Sequence, residues 1–243
     1  MHFGYRQTLE WCSSVRALVS DHPAVTSGVV DVFVLPSFPF LVPVLAIFDG
    51  TPVAVGAQDL HWEDRGAFTG EVSGTTLADL GCRYVEVGHS ERRILFGESN
   101  AQVALKVEAA LRNGLCPIVC IGEEVRTPPA SATRICLELL DAALSRLGSR
   151  ELDGPVIVAY EPQWAIGGEE PASSQHISDV CGHLKSALKA ARPGATNRVI
   201  YGGSAGPGLL ESLAGTVDGL FLGRRVHDPA DLGKVLDEVA ARG

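Results

Sequence analysis

The chain of 243 residues carries 29 acidic against 20 basic side chains, a formal net charge of −9, and is 46% apolar. That apolar share supports a folded core and excludes disorder or a coiled coil, while the acidic balance excludes a nucleic-acid binder, which needs a basic face to displace condensed counterions. The polar opening from Met1 to Cys12 predicts no export signal, and Pro36, Pro39 and Pro43 inside the most apolar stretch predict no spanning helix there, so the expectation is a cytoplasmic protein away from membranes.

In chain order, the first element is a helix. Leu9, Cys12, Val15, Leu18 and Val19 recur at helical spacing, and Asp21-His22-Pro23 ends the pattern. Seven short apolar runs follow at 29–35, 53–57, 84–87, 116–121, 156–160, 198–201 and 219–222. Their continuous apolar character predicts parallel strands covered on both faces. Between them lie helical patterns with their own start signals. Ser99-x-x-Gln102 is a capping box ahead of the stripe Val103, Val107, Leu111, which Asn113-Gly114 closes. Ile177, Val180, Leu184 and Leu188 mark another buried stripe. Asp228 before Pro229 is an N-cap with proline at the first helical position.

No linker divides the chain, so one domain over 1–243 is predicted, an α/β fold that is either a doubly wound sheet or a (β/α)8 barrel. The six cysteines at 12, 82, 116, 120, 136 and 181 are predicted reduced and mostly buried. Cys116 and Cys120, four apart on one strand, stand about 13 Å from each other, beyond a disulfide or a shared metal. The histidines show no ligand spacing, so no metal is expected.

In a parallel α/β fold, chemistry gathers where strands end. Gly88-His89-Ser90-Glu91-Arg92-Arg93 follows the third run directly. A lone histidine is more often satisfied inside a core, but the flanking glycine and dense polar cluster weaken that reading here. After the fifth run comes Tyr160-Glu161-Pro162-Gln163-Trp164-Ala165-Ile166-Gly167-Gly168. A carboxylate at a strand end, followed by an apolar, glycine-ended loop, has the form of a base beneath a lid, or else of a surface ion-pair partner. Tyr201-Gly202-Gly203-Ser204 and Leu222-Gly223 are glycine turns whose backbone N–H groups could cradle a phosphate.

Together, and in this order, these segments resemble the triosephosphate isomerase family. Gln58 with the Gly-Ala-Phe-Thr-Gly-Glu segment at 66–71, Gly88 to Arg93, Phe96-Gly97-Glu98, Pro117 to Glu123, Ala159 to Gly167 and Tyr201 to Ser204 all match its motifs. The resemblance implies a (β/α)8 TIM barrel and an enediol interconversion of glyceraldehyde 3-phosphate and dihydroxyacetone phosphate, a step of glycolysis and gluconeogenesis. It implies no cofactor. Glu161 is then the base and His89 the neutral electrophile that polarises the carbonyl. Phosphate is expected on backbone N–H groups around Gly167, Ser204 and Gly223. Glu91, Trp164, Tyr201 and Arg224 would support the site, and Thr69, at the tip of the 66–71 loop, would reach into the partner of a homodimer.

Three departures stand beside the resemblance. The family's first strand, with its asparagine and catalytic lysine, is absent from the sequence as it begins at Met1. Seven strands are readable, and Lys106, Lys185, Lys189 and Lys234 all fall in helical patterns. A start recorded too late is the favoured explanation, because a selected site without its cation would be odd; a defective or differently assembled barrel, kept as a phosphate binder or scaffold, is the other. Second, the lid reads Ile166-Gly167-Gly168-Glu169-Glu170-Pro171, acidic where the family is usually Gly-Thr-Gly-Lys. Third, Arg224 and Arg225 follow Gly223, and either could fork a phosphate or point to solvent. The last two departures look like a branch acting on four-carbon ketose phosphates such as erythrulose phosphate.

Overall fold

The protein is described by a computed structural model that covers residues 2–148, 152–168, 170–213 and 215–241. Glu169 of the lid lies outside the described residues. Strands β1 (Phe33–Val34), β2 (Ala54–Ala57), β3 (Tyr84–Val87), β4 (Cys116–Ile121), β5 (Ile157–Tyr160), β6 (Arg198–Tyr201) and β7 (Gly219–Leu220) form one parallel sheet in sequence order. Its register sets Val85 beside Pro117, Val119 beside Val158 and Ala159 beside Ile200. The sheet is curled, and among the described residues no ladder joins β7 to β1. Across that opening the inward rings of Phe33 and Phe221 approach to 6.1 Å.

Each connection carries helix, as parallel neighbours require. The helices are α1 (Tyr5–Ser20), α2 (Pro23–Thr26), α3 (Leu41–Phe48), α4 (Gly74–Leu80), α5 (Ser90–Phe96), α6 (Asn100–Arg112), α7 (Pro129–Leu144), α8 (Ser174–Ala191), α9 (Leu209–Ser212) and α10 (Pro229–Ala240). Local chemistry fixes several of their ends. The α6 capping box forms in both directions, Ser99 Oγ accepting from Gln102 N–H and the Gln102 side chain accepting from Ser99 N–H. Asp228 caps α10 ahead of Pro229. Val103, Val107 and Leu111 of α6 and Ile177, Val180, Leu184 and Leu188 of α8 are all buried against the sheet. Each such side chain contributes about 1.5–3 kcal/mol through burial.

Inside the curl, alternate strand residues make a separate cluster of Cys116, Ile118, Cys120, Ile157, Ala159 and Ile200, flanked by Phe33, Leu35, Tyr84 and Phe221. This packing plugs the interior below the strands' C-terminal ends, so polar groups set just past those ends sit over an apolar floor. All six cysteines are buried free thiols. Among the described residues no helix is long and apolar enough to cross a membrane.

Candidate active site

Glu161 stands one residue beyond β5 and His89 two beyond β3, so neighbouring parts of the curl bring them to one end. Glu161 Oε2 lies 3.7 Å from His89 Nε2. The residue is only 7% exposed, and Oε2 has no hydrogen-bond partner. Burial pushes the Glu161 carboxyl above its ordinary value, with His89 pulling the other way. Two glycines make room for it. A β-carbon on Gly122 would strike the Glu161 carbonyl, and one on Gly202 would strike its carboxylate.

His89 is the N-cap of α5, and its Nδ1 accepts the backbone N–H of Glu91 at 3.3 Å. An accepting Nδ1 places the ring proton on Nε2, the nitrogen that faces Glu161. Glu91 thus meets His89 through its backbone N–H, and its carboxylate, 3.9 Å from Nδ1, is largely exposed. Behind the histidine, Gly88 N–H donates to Glu98 at 3.1 Å and Arg93 Nε donates to the Gly88 carbonyl at 2.8 Å, so the peptide groups before and after the Gly88 Cα are both held. Glu161 also walls a cavity of about 520 Å3 lined by Gly88, Ser90, Cys120 and Gln163.

The loop after Glu161 is tied at both ends. At its start, Trp164 Nε1 donates at 2.8 Å to Glu123, a carboxylate 1% exposed that also accepts from Tyr160 OH and lies 3.3 Å from His176 Nε2. At its far end, Tyr201 OH accepts Ala172 N–H at 2.9 Å and donates to the Gly203 carbonyl at 2.8 Å. Ser204 Oγ donates to the carbonyls of Ala165 and Gly168 at 2.7 and 3.1 Å. Its φ of 56° is the single positive value among the described non-glycine residues, a conformation that costs about 1–3 kcal/mol and gathers at functional sites.

Gly167, at the lid's crest, has a left-handed φ of 72°. The exposed Arg224 guanidinium lies directly against its Cα, where a β-carbon would clash. Gly223 precedes this arginine, so β7 delivers a cation to the lid beside the Ser204 turn. The lysines are engaged elsewhere or lie on helices: Lys106 is buried between Asp59 and Glu98, Lys185 pairs with Asp218, Lys234 with Asp231, and Lys189 stands in the last turn of α8. Thr69 stands apart and exposed on the 66–71 loop, where the Phe68 ring packs 4.3 Å from His61.

Two features escape the sequence reading. The Glu123 hub draws on β5, the lid and α8 at once, and no local pattern announces it. Glu86, on β3, points inward beside Cys120 and Glu161, and a carboxyl at an inward position of a doubly covered strand was its available signal.

With this geometry in place, three comparisons bear on ancestry. A family profile described as triosephosphate isomerase matches residues 1–239. A protein of Pectobacterium atrosepticum named L-erythrulose-1-phosphate isomerase is 53% identical over 238 residues, covering 98% of this chain and 92% of the relative. A triosephosphate isomerase of Herpetosiphon aurantiacus is 37% identical, covering 97% and 94%. Among solved structures, the triosephosphate isomerase of Bartonella henselae superposes with a TM-score of 0.82 at 26% identity, covering 99% of this chain and 96% of that one.

Proposed function

The chain belongs to the triosephosphate isomerase family and is an isomerase, and we propose that it moves a carbonyl between adjacent carbons of a small sugar phosphate through an enediolate. The observation that carries this reading is the pair formed by the unpartnered Glu161 Oε2 and the His89 Nε2 at 3.7 Å. Glu161 takes the proton from the carbon beside the carbonyl. Nε2–H stabilises the charge that develops on the carbonyl oxygen and gives that oxygen its proton, and the imidazole recovers one from the neighbouring hydroxyl, which becomes the new carbonyl. Glu161 then returns the proton to the neighbouring carbon. Burial keeps water from the base and the enediolate alike.

The substrate we favour has four carbons, because the 53% identical relative is named for L-erythrulose 1-phosphate. This compound is dihydroxyacetone phosphate with a hydroxymethyl group replacing one hydrogen on the carbon that Glu161 deprotonates. The same proton shift then yields a second ketose, erythrulose 4-phosphate, whereas a triose phosphate yields an aldose. Triose turnover is the second reading, supported by the 37% identical relative. Turnover of both compounds, measured side by side, tests the proposal. A larger kcat/KM for L-erythrulose 1-phosphate is expected, a larger value for the triose selects the second reading, and no turnover of either by the folded chain leaves the phosphate-binder alternative.

For the phosphate we assign the Gly167, Ser204 and Gly223 backbone together with Arg224. A charge-assisted hydrogen bond contributes about 1.5–3 kcal/mol. Arg224→Met is therefore expected to raise KM about 10-fold or more while changing kcat far less. Unchanged KM would return Arg224 to solvent.

We further propose that a single domain carries the site and that two copies pair through the 66–71 loop around Thr69. Ile94, Leu95 and Phe96 of α5 are 68%, 69% and 70% exposed, an apolar run that a second copy would cover. Sedimentation at twice the chain mass is expected, and monomer alone at micromolar concentration would contradict it. Six buried free thiols suit a reducing compartment, so we place the protein in the cytoplasm.

A further inference from the structure

We propose that Glu86 is the specificity-determining residue of this site: its carboxyl hydrogen-bonds the hydroxymethyl group on the carbon that Glu161 deprotonates, and so selects four-carbon over three-carbon substrates. The inference rests on the isomerase reading above and deepens it.

The inward residues of β3 are Tyr84 and Glu86, and the interior they face is otherwise apolar or sulfur-bearing, formed by Cys116, Ile118, Cys120, Ala159 and Ile200. A carboxyl in such a layer is costly unless something uses it. Among the described residues its side chain accepts one hydrogen bond, a weak one from the Cys120 thiol at 3.5 Å from Oε1. Glu86 is also aimed at the chemistry. Oε1 lies 3.9 Å from His89 Nε2, the same nitrogen that stands 3.7 Å from Glu161 Oε2. One oxygen of each carboxyl and the Cys120 sulfur all fall within 4.8 Å of one another.

A second observation makes the cluster a site rather than a packing accident. Glu161 Oε2, 93% buried on a residue basis by its 7% exposure, is aimed into the same space without a partner. The carbon that this oxygen deprotonates must therefore lie beside both carboxyls. In a triose that carbon carries only hydrogens besides its oxygen; in a tetrulose it also carries a hydroxymethyl group. A hydroxyl both donates and accepts, which matches a carboxyl that can do either.

Protonation suits this role. Two carboxyls so close in a buried site do not both ionise readily. Burial, the charge of Glu161, and the more distant Asp59 and Glu91 push Glu86 up to about 8, against the opposing hydrogen bond from Cys120. At neutral pH Glu86 keeps its proton while Glu161 is the base, so the developing enediolate faces a neutral donor instead of a second negative charge. Among the described residues His89 also faces it, at 3.9 Å.

The test compares kcat/KM for L-erythrulose 1-phosphate with that for dihydroxyacetone phosphate in the wild type, Glu86→Leu and Glu86→Gln. The ratio is expected to fall about 100-fold in Glu86→Leu, which keeps the volume and loses the hydrogen bond, and to be largely rescued in Glu86→Gln. In the wild type the ratio is also expected to decline as pH rises through about 8, and this decline disappears in Glu86→Gln. An unchanged ratio in Glu86→Leu, or equal losses on both substrates in a folded variant, overturns the role of Glu86. A wild type that prefers the triose overturns the four-carbon reading itself and the inference with it, so the two failures are distinct.

Discussion

Glu161→Gln is expected to lower turnover by roughly 10³-fold, since a positioned base contributes about 10²–10⁴-fold. Glutamine keeps the shape that packs against Gly202 but cannot take a proton from carbon. Binding of inorganic phosphate is expected to stay nearly intact, because Ser204, Gly223 and Arg224 lie on other loops and Gly167 stands six residues along the lid from Glu161. Stability should move the opposite way from activity. The folded-state pKa of Glu161 is raised by burial, so its protonated form favours folding at low pH and that contribution is lost as pH rises through the folded value. At neutral pH the variant is therefore expected to melt at or above the wild-type temperature. In the wild type, the acid limb of kcat/KM should lie above the ordinary glutamate value, because protonation removes the base. Retained turnover in Glu161→Gln would remove it as the base.

Lys106→Met should cost about 3–5 kcal/mol of stability, the usual loss when one partner of a buried charge cluster is removed. Lys106 is 3% exposed and its ammonium donates to both oxygens of Asp59, at 2.6 and 2.8 Å, and to Glu98. Without it, Arg92, 2.7 Å from Asp59, is left to balance two buried carboxylates. The damage reaches the site as well, since Glu98 also accepts Gly88 N–H, one residue before His89. Asp59 is already pushed up by burial, with Lys106 the first group opposing that shift. Removing the lysine frees it to rise further, so the deficit is expected to shrink as pH falls and Asp59 protonates. Urea denaturation at neutral and mildly acidic pH measures both effects; a deficit under about 1 kcal/mol would contradict the cluster's role.

Most of the fold is legible in the sequence because each strand is a continuous apolar run and most helix starts carry a local cap. β3, β4 and β6 fall where the runs predict them. β1 shortens to Phe33–Val34 from a run at 29–35, and β7 to Gly219–Leu220 from 219–222. Both lie at the ends of the sheet order and pair on one side alone, so less of each run is held in a ladder. His89 and Glu161 were legible because a strand end, a helix start and a lid frame them. Arg224 was not. Whether it faces solvent or the lid depends on how closely β7 approaches Gly167, which no spacing in the sequence states. Glu86 hid for a different reason: a single carboxyl inside an apolar strand run reads as an exception, and its meaning depends on Cys120 and Glu161 arriving from two other strands.

The central claim is that a buried carboxylate shuttles a proton between carbons. Isomerisation of L-erythrulose 1-phosphate, with dihydroxyacetone phosphate in parallel, can be followed by NMR in deuterium oxide with the purified chain. Because the Glu161 proton exchanges with solvent, part of the product is expected to carry deuterium at the carbon that gains hydrogen, and Glu161→Gln should abolish that incorporation. Product formed with no deuterium, or deuterium incorporated as fast by the variant as by the wild type, would contradict the account.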